Sequence, residues 1–329
     1  MKLKPSLCLL ALLSLAHLPV LGADSQGVRY SERADVKAFM MEMRQKHDFP
    51  ESWLIRQFDE AEFKPAVIKY ILPPADPQVR SWKTYRSRFV EPKRIAAGLA
   101  FWKQNAATVK RASDQYGVPE EIIVSIIGVE TIYGKQMGNF ETFSALTTLA
   151  FDYPPRAELF RTQLEELLLL AREEERSPRS YSGSFAGALG LPQFLPGSIR
   201  RYAVNFDGDE REDLSTPADA IGSVANFLAA HGWVKGGPIV APARIDDTAA
   251  APLLAQGIKP QLQPADMVGL IARPDAPQQP AALIDLVTPD QPTEYWLGYQ
   301  NFYVITRYNR SSFYAMAVND LAQALRERR

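Results

Sequence analysis

Apolar residues recur at helical spacing along most of the chain, and the places where that spacing fails divide it into segments. Between residues 31 and 110, Phe39, Met40 and Met43 begin an amphipathic stripe, and residues 96–109 read as a second helix. Pro73, Pro74 and Pro77 put a loop between them, because proline ends a helix and restricts the residue before it. From residue 111 to about 235, helical segments alternate with loops rich in glycine, proline and aromatics. Pro119 suits a first helical turn, and Glu120 and Glu121 follow where the positive end of a helix dipole favours acids. That helix is expected to run to Gly134, a natural C-terminal stop. A second is predicted over residues 156–175, carrying Leu164 and Leu167 to Leu170, and a third over residues 217–230.

The period then changes. Residues 236–292 hold ten of the chain's 25 prolines, too many for helices, and carry short β-prone pieces at Ile239-Val240 and residues 282–287. They read as a small β-rich insert. Residues 295–308 are strongly aromatic, and residues 312–328 read as a closing helix. The expected fold is α+β and mostly helical. It comprises an N-terminal helical domain (24–110), a central core (111–235, resumed at 293–329) and the β-rich insert (236–292).

The first residues stand apart. Lys2 and Lys4 precede an apolar run over residues 7–21, and Gly22-Ala23 offers a cleavage point. This is the layout of a secretory signal peptide over residues 1–23, and the run is short for a membrane span. The single cysteine, Cys8, lies inside it after Pro5-Ser6-Leu7, a poor lipobox, so lipid anchoring is not expected and the mature chain needs no disulfide. An exported, periplasmic protein is expected, with retention of the segment as an anchoring helix as the alternative. With 46% hydrophobic and 23% charged residues, the remainder is ordinary globular composition. Loss of the two lysines takes the formal charge from −1 to −3, which is no nucleic-acid footprint.

Two stretches carry chemistry. On a helix, Ile123, Ile127 and Glu130 share one face, so Glu130 continues an apolar stripe. A carboxyl in apolar surroundings has a raised pKa, which a general acid needs to protonate a glycosidic oxygen near neutral pH. A glutamate reaching solvent from a frayed helix end satisfies the same periodicity. In the window 183–196, Gly183, Gly187 and Gly190 allow close backbone approach, while Ser184 and Gln193 can hydrogen-bond an amide or hydroxyl. It reads as a sugar-binding wall or as a plain glycine-rich turn.

Gly128-Val129-Glu130-Thr131, the 183–196 stretch and Tyr308-Asn309-Arg310 together resemble the B-type lytic murein transglycosylases. Tyr116-Gly117-Val118-Pro119, Phe151-Asp152-Tyr153-Pro154 and residues 220–226 extend the resemblance over nearly all the mature chain. It implies a lysozyme-like core and cleavage of the β-1,4 bond between N-acetylmuramic acid and N-acetylglucosamine in peptidoglycan without water. It makes Glu130 the single acid and base and leaves a 1,6-anhydro end. Residue by residue, the resemblance implies sugar contacts at Ser184 and Gln193, and a wall opposite Glu130 from Tyr308, Asn309 and Tyr314. Further substrate contacts fall at Arg156, Tyr85 and Phe227. Two departures stand out: Phe227 where relatives can carry tyrosine, and Pro155 where a second arginine can occur. Proteins of cell-wall synthesis or remodelling are the partners the resemblance implies besides the glycan strands.

Oxygen side chains at alternate positions in Asn205, Asp207 and Asp209 resemble the start of an EF-hand loop. The resemblance implies a structural calcium, or sodium, held also by the Arg211 carbonyl and by Asp219; an exposed acidic loop without an ion fits the same residues. Glu210 stands where glycine normally turns such a loop, and the usual closing glutamate is missing. No cofactor is expected for catalysis. Two other functions fit the residues less well. A hydrolytic muramidase needs a positioned water or a second carboxylate, for which Glu141 and Asp152 are the candidates. A non-catalytic peptidoglycan-binding protein would not need Glu130.

Overall fold

The computed structural model describes residues 29–72 and 80–329, so the expected signal peptide, Cys8 and the Pro73–Pro77 loop lie outside the described residues. The N-terminal part is helical: α1 (Ala34–His47), α2 (Glu51–Asp59), α3 (Pro65–Ile71), α4 (Trp82–Phe89), α5 (Pro92–Gln104) and α6 (Ala106–Tyr116). The core follows with α7 (Glu120–Thr131), β1 (Phe140–Glu141), α8 (Thr142–Asp152), α9 (Ala157–Glu173), β2 (Ser182–Gly183), α10 (Pro196–Tyr202) and α11 (Pro217–Ala230). The insert holds β3 (Val240–Arg244), α12 (Asp247–Leu254), β4 (Ile271–Ala272), β5 (Ala282–Leu286) and β6 (Glu294–Gly298). The chain closes with α13 (Gln300–Tyr308) and α14 (Ser312–Arg326). Among the described residues no helix is long and apolar enough to cross a membrane.

The fold is built around α7. Every residue from Ile122 to Val129 is buried, because α7 is surrounded by α5, α6, α11 and α14. A helix apolar on all sides is stable only when neighbours cover all of it. The covering helices are started by local caps. Glu91 accepts hydrogen bonds from the amides of Lys93 and Arg94 at the head of α5, and Ser311 accepts from Tyr314 at the head of α14.

Three expectations shift against the structure. The helix predicted over residues 96–109 is two, α5 and α6, broken at Asn105, whose side chain donates to the Phe101 carbonyl at 2.9 Å and caps the chain's exit. α7 stops at Thr131 rather than Gly134: Ile132, Tyr133 and Gly134 all take positive φ, of 51°, 57° and 87°. The insert extends past residue 292, because β6 pairs with both β3 and β5 in a four-stranded sheet ordered β4-β3-β6-β5. The first two residues of the aromatic run, Tyr295 and Trp296, belong to that central strand. The sheet and α12 enclose a second small core that includes Leu253, Met267, Leu283, Leu297 and Tyr299.

Candidate active site

Glu130 sits one residue before the end of α7, where the helix runs out of its own packing. It keeps some contact with solvent, while protein groups crowd its other sides. That burial pushes its carboxyl up from the ordinary carboxylate range to about 7. One interaction opposes the rise: the Tyr314 hydroxyl donates to Glu130 Oε1 at 2.6 Å from α14. No carboxylate contributes to the shift among the described residues. Glu130 is therefore a lone acid, poised near neutrality by desolvation.

The backbone after Glu130 is strained. A β-branched residue in the left-handed region is a rare arrangement costing on the order of 1–3 kcal/mol, and Ile132 adopts it with φ of 51°. Three residues hold the strained turn. Thr131 Oγ1 donates to the Leu191 carbonyl at 2.9 Å and accepts from Gly134 N at 3.0 Å. Tyr133 turns back into the core, its ring 5.3 Å from Phe101 and its hydroxyl wedged between Gly98 of α5 and Gly128 of α7. A methyl group at either glycine would collide with that hydroxyl, so these glycines make room for the tyrosine. Arg94, almost fully buried, donates to the Gly128 carbonyl at 3.0 Å and so occupies the negative end of α7. Thr131, Tyr133 and Arg94 were not read as site-forming from the sequence. The glycine of the Gly128-Val129-Glu130-Thr131 motif is the one local signal, since any larger residue there would meet Tyr133.

The wall opposite is aromatic. Tyr308 and Tyr314 stack at 6.4 Å and 15°, and the Tyr308 hydroxyl donates to the Pro192 carbonyl at 2.7 Å. Burial beside the Glu130 carboxylate pushes both phenols well above their usual range, so they stay neutral donors. Tyr85, from α4, is raised by burial and then by Glu130, which puts it at the same site.

The 183–196 stretch supplies the other side. Ser184 Oγ accepts from Ala188 N at 3.0 Å within a tight turn. Gln193 has φ of 52°, and its Nε2 donates to the carbonyls of Met137 and Gly190 at 3.2 and 2.9 Å. Its amide oxygen is left without a protein donor among the described residues, and the Thr131–Leu191 bond ties this loop to the end of α7. Glu130, Tyr85, Tyr308, Tyr314 and the Gln193 loop are thus linked to one another by contacts or by charge.

Other expected residues lie differently. Phe227 is almost fully buried, 4.8 Å from Tyr308 and 4.0 Å from the His231 ring, so it backs the tyrosine wall and shows no free face to a sugar. The Phe194 and Tyr202 rings, 5.5 and 5.1 Å away, cover its other sides. Asn309 is exposed at the end of α13, and Arg156 is exposed with its guanidinium 5.4 Å from the Phe160 ring; neither meets Glu130. The two candidate second carboxylates are engaged elsewhere. Asp152 pairs with Arg33 at 2.6 Å and accepts from Tyr30 at 2.5 Å, and Glu141 accepts from Ser144 at 2.6 Å.

In the acidic loop, fully buried Asp219 accepts from Phe206 N at 2.6 Å and Asp213 N at 2.7 Å, and so staples the loop to α11. Asn205 Oδ1 accepts from Gly208 N at 2.8 Å, Asp207 Oδ1 from Asp209 N at 3.2 Å and Asp209 Oδ1 from Arg211 N at 2.8 Å. The positive φ falls on Gly208 rather than on Glu210. Among the described residues no three His, Cys, Asp or Glu side chains converge as a metal cage.

The chain matches the model of the transglycosylase SLT domain over residues 31–323. It is 41% identical over 313 residues to the membrane-bound lytic murein transglycosylase B of Escherichia coli, covering 91% of this chain and 84% of that one. The solved structure of the catenated lytic transglycosylase SltB1 from Pseudomonas aeruginosa superposes with a TM-score of 0.85 at 44% identity, covering 91% of this chain and 99% of that one. The E. coli lytic transglycosylase Slt35 in complex with calcium gives a TM-score of 0.79 at 41% identity, covering 89% and 93%. The lone acid, the tyrosine wall and these likenesses agree: the chain belongs to the lytic murein transglycosylases that share the transglycosylase SLT domain.

Proposed function

We propose that Glu130 alone carries both proton transfers of a non-hydrolytic cleavage of peptidoglycan glycan strands. The observation behind this reading is its carboxyl, raised to about 7 by burial with no carboxylate partner. Protonated, Glu130 donates to the glycosidic oxygen between N-acetylmuramic acid and N-acetylglucosamine, and that bond breaks. Tyr314 holds Oε1, which leaves Oε2 to face the leaving oxygen. The carboxylate so formed takes the proton from the muramoyl 6-hydroxyl, whose oxygen closes on the anomeric carbon. A 1,6-anhydro end results, the acid is restored and no water is consumed. Tyr308, Tyr314 and Tyr85 present aromatic faces and hydroxyls to the sugars, and Gln193 and Ser184 bind their amide and hydroxyl groups. The enzyme's setting is the periplasm, reached by the N-terminal signal.

Glu130→Gln tests this reading. It preserves shape but cannot donate the proton, so cleavage of purified peptidoglycan should fall by roughly 10²–10⁴-fold while cosedimentation with it persists. Activity within a few-fold of wild type overturns the assignment.

The 205–219 loop is proposed as a structural cation site. Asp207 and Asp209 each use one carboxylate oxygen on a backbone amide and keep the other, a hard donor set suited to calcium. Asn205, Asp207, Asp209 and the Arg211 carbonyl would hold the ion, with Asp219 bracing the loop behind them. Nothing places the loop beside Glu130, so its role is to fix the fold.

A further inference from the structure

Beside the catalytic wall lies a cavity of about 370 Å³ whose arginines the reaction just described does not use. It is lined by Arg80, Ser81, Thr84, Tyr85 and Arg88 from α4 and its approach, and by Ser311 and Phe313 at the head of α14. Tyr85 is shared between this cavity and the site, since its phenol feels both Glu130 and Arg88.

The lining selects for one kind of ligand. No acid contributes to it, and two arginines do. Arg86, on the same helix, is neutralised by Asp320, whereas neither Arg80 nor Arg88 has a carboxylate partner among the described residues. The Ser81 and Ser311 hydroxyls already accept from the amides of Thr84 and Tyr314 at 3.3 Å, so the guanidiniums are the strongest groups left to a ligand. A sugar ring is not what the cavity fits. Its one apolar ring, Phe313, is nearly fully buried and packed against Trp82 and Tyr85, with the Arg80 guanidinium 4.6 Å from its centroid. A planar cation stacked on an aromatic floor is held ready for a carboxylate in its own plane.

We infer that this cavity binds the carboxylates of the peptide stem attached to the muramoyl residue being cleaved. The inference rests on the proposed function. In peptidoglycan the sugars are uncharged once the lactyl group is joined to its peptide, so a paired cationic pocket next to the scissile bond meets an anion only on the stem. Arg80 and Arg88 then set substrate preference without touching the reacting atoms.

The test uses soluble, uncrosslinked glycan strands with stem carboxyls either free or converted to amides, which removes charge and keeps shape. Wild-type enzyme should show kcat/KM about tenfold lower on the amidated strands, the loss expected of two solvent-exposed charge contacts and carried by KM. The exposed double variant Arg80→Gln/Arg88→Gln should treat the two substrates alike. Equal rates of anhydro product from both substrates with wild type, or an undiminished preference in the double variant, overturn the inference and leave the function standing. Absence of anhydro product from wild type on free-carboxyl strands overturns the function and the inference together.

Discussion

An acid whose pKa is raised by folding weakens the fold wherever it ionises, and Glu130 makes that measurable. Its carboxyl rises from about 4.5 to about 7 on burial. Between those values the folded chain binds a proton that the unfolded chain has released, so stability falls as pH rises through that window. Below about 4.5 both states are protonated and no penalty exists; above about 7 the penalty is complete. A shift of that size corresponds to roughly 3 kcal/mol at 1.36 kcal/mol per unit, and the solvent contact Glu130 retains reduces this to about 2 kcal/mol. Glu130→Gln removes the charge and keeps an oxygen for Tyr314. The variant should match wild type in denaturant unfolding near pH 4.5 and exceed it by about 2 kcal/mol at pH 8. A stability difference that stays constant across that range would refute the claim that the carboxyl is desolvated in the folded state. A variant less stable at pH 8 would refute it more strongly.

Three further outcomes follow from the same geometry. Tyr314→Phe removes the hydrogen bond that lowers the Glu130 pKa, so the alkaline limb of the pH–rate profile should move upward; a downward or absent movement contradicts the assigned donor. Gly128→Ala drives a methyl into the Tyr133 hydroxyl and should destabilise by about 1–3 kcal/mol with a loss of activity, read by thermal unfolding and turnover; a neutral effect means the packing is looser than described. Calcium should raise the melting temperature of wild type but not of Asp209→Ala, and an identical response in both removes the loop as a cation site.

Much of this arrangement could be read in the chain because it is written locally. Ile123, Ile127 and Glu130 lie within two turns of one helix, so their common face follows from the 3.6-residue period alone. The prolines of the insert and the apolar stripes of α9 and α11 are equally local signals. What escaped was non-local or conformational. The partner of Glu130, Tyr314, is 184 positions away, and only the family resemblance put it in the site. The helix end at Ile132 breaks the rule that glycine takes the left-handed position, because Thr131, Tyr133 and Arg94 jointly outweigh the strain. Phe227 lies behind the tyrosine wall, and an aromatic on an apolar helix face does not say which side of such a wall it occupies. The break at Asn105 needed one side-chain hydrogen bond that no periodicity reveals.

The most direct measurement of the central claim is digestion of purified peptidoglycan in water enriched in heavy oxygen, with the products weighed by mass spectrometry. Capture by the 6-hydroxyl predicts ends lighter than the hydrolytic product by one water, with no label incorporated and none formed by Glu130→Gln. Labelled reducing muramoyl ends would contradict it and require a second carboxylate to activate the water.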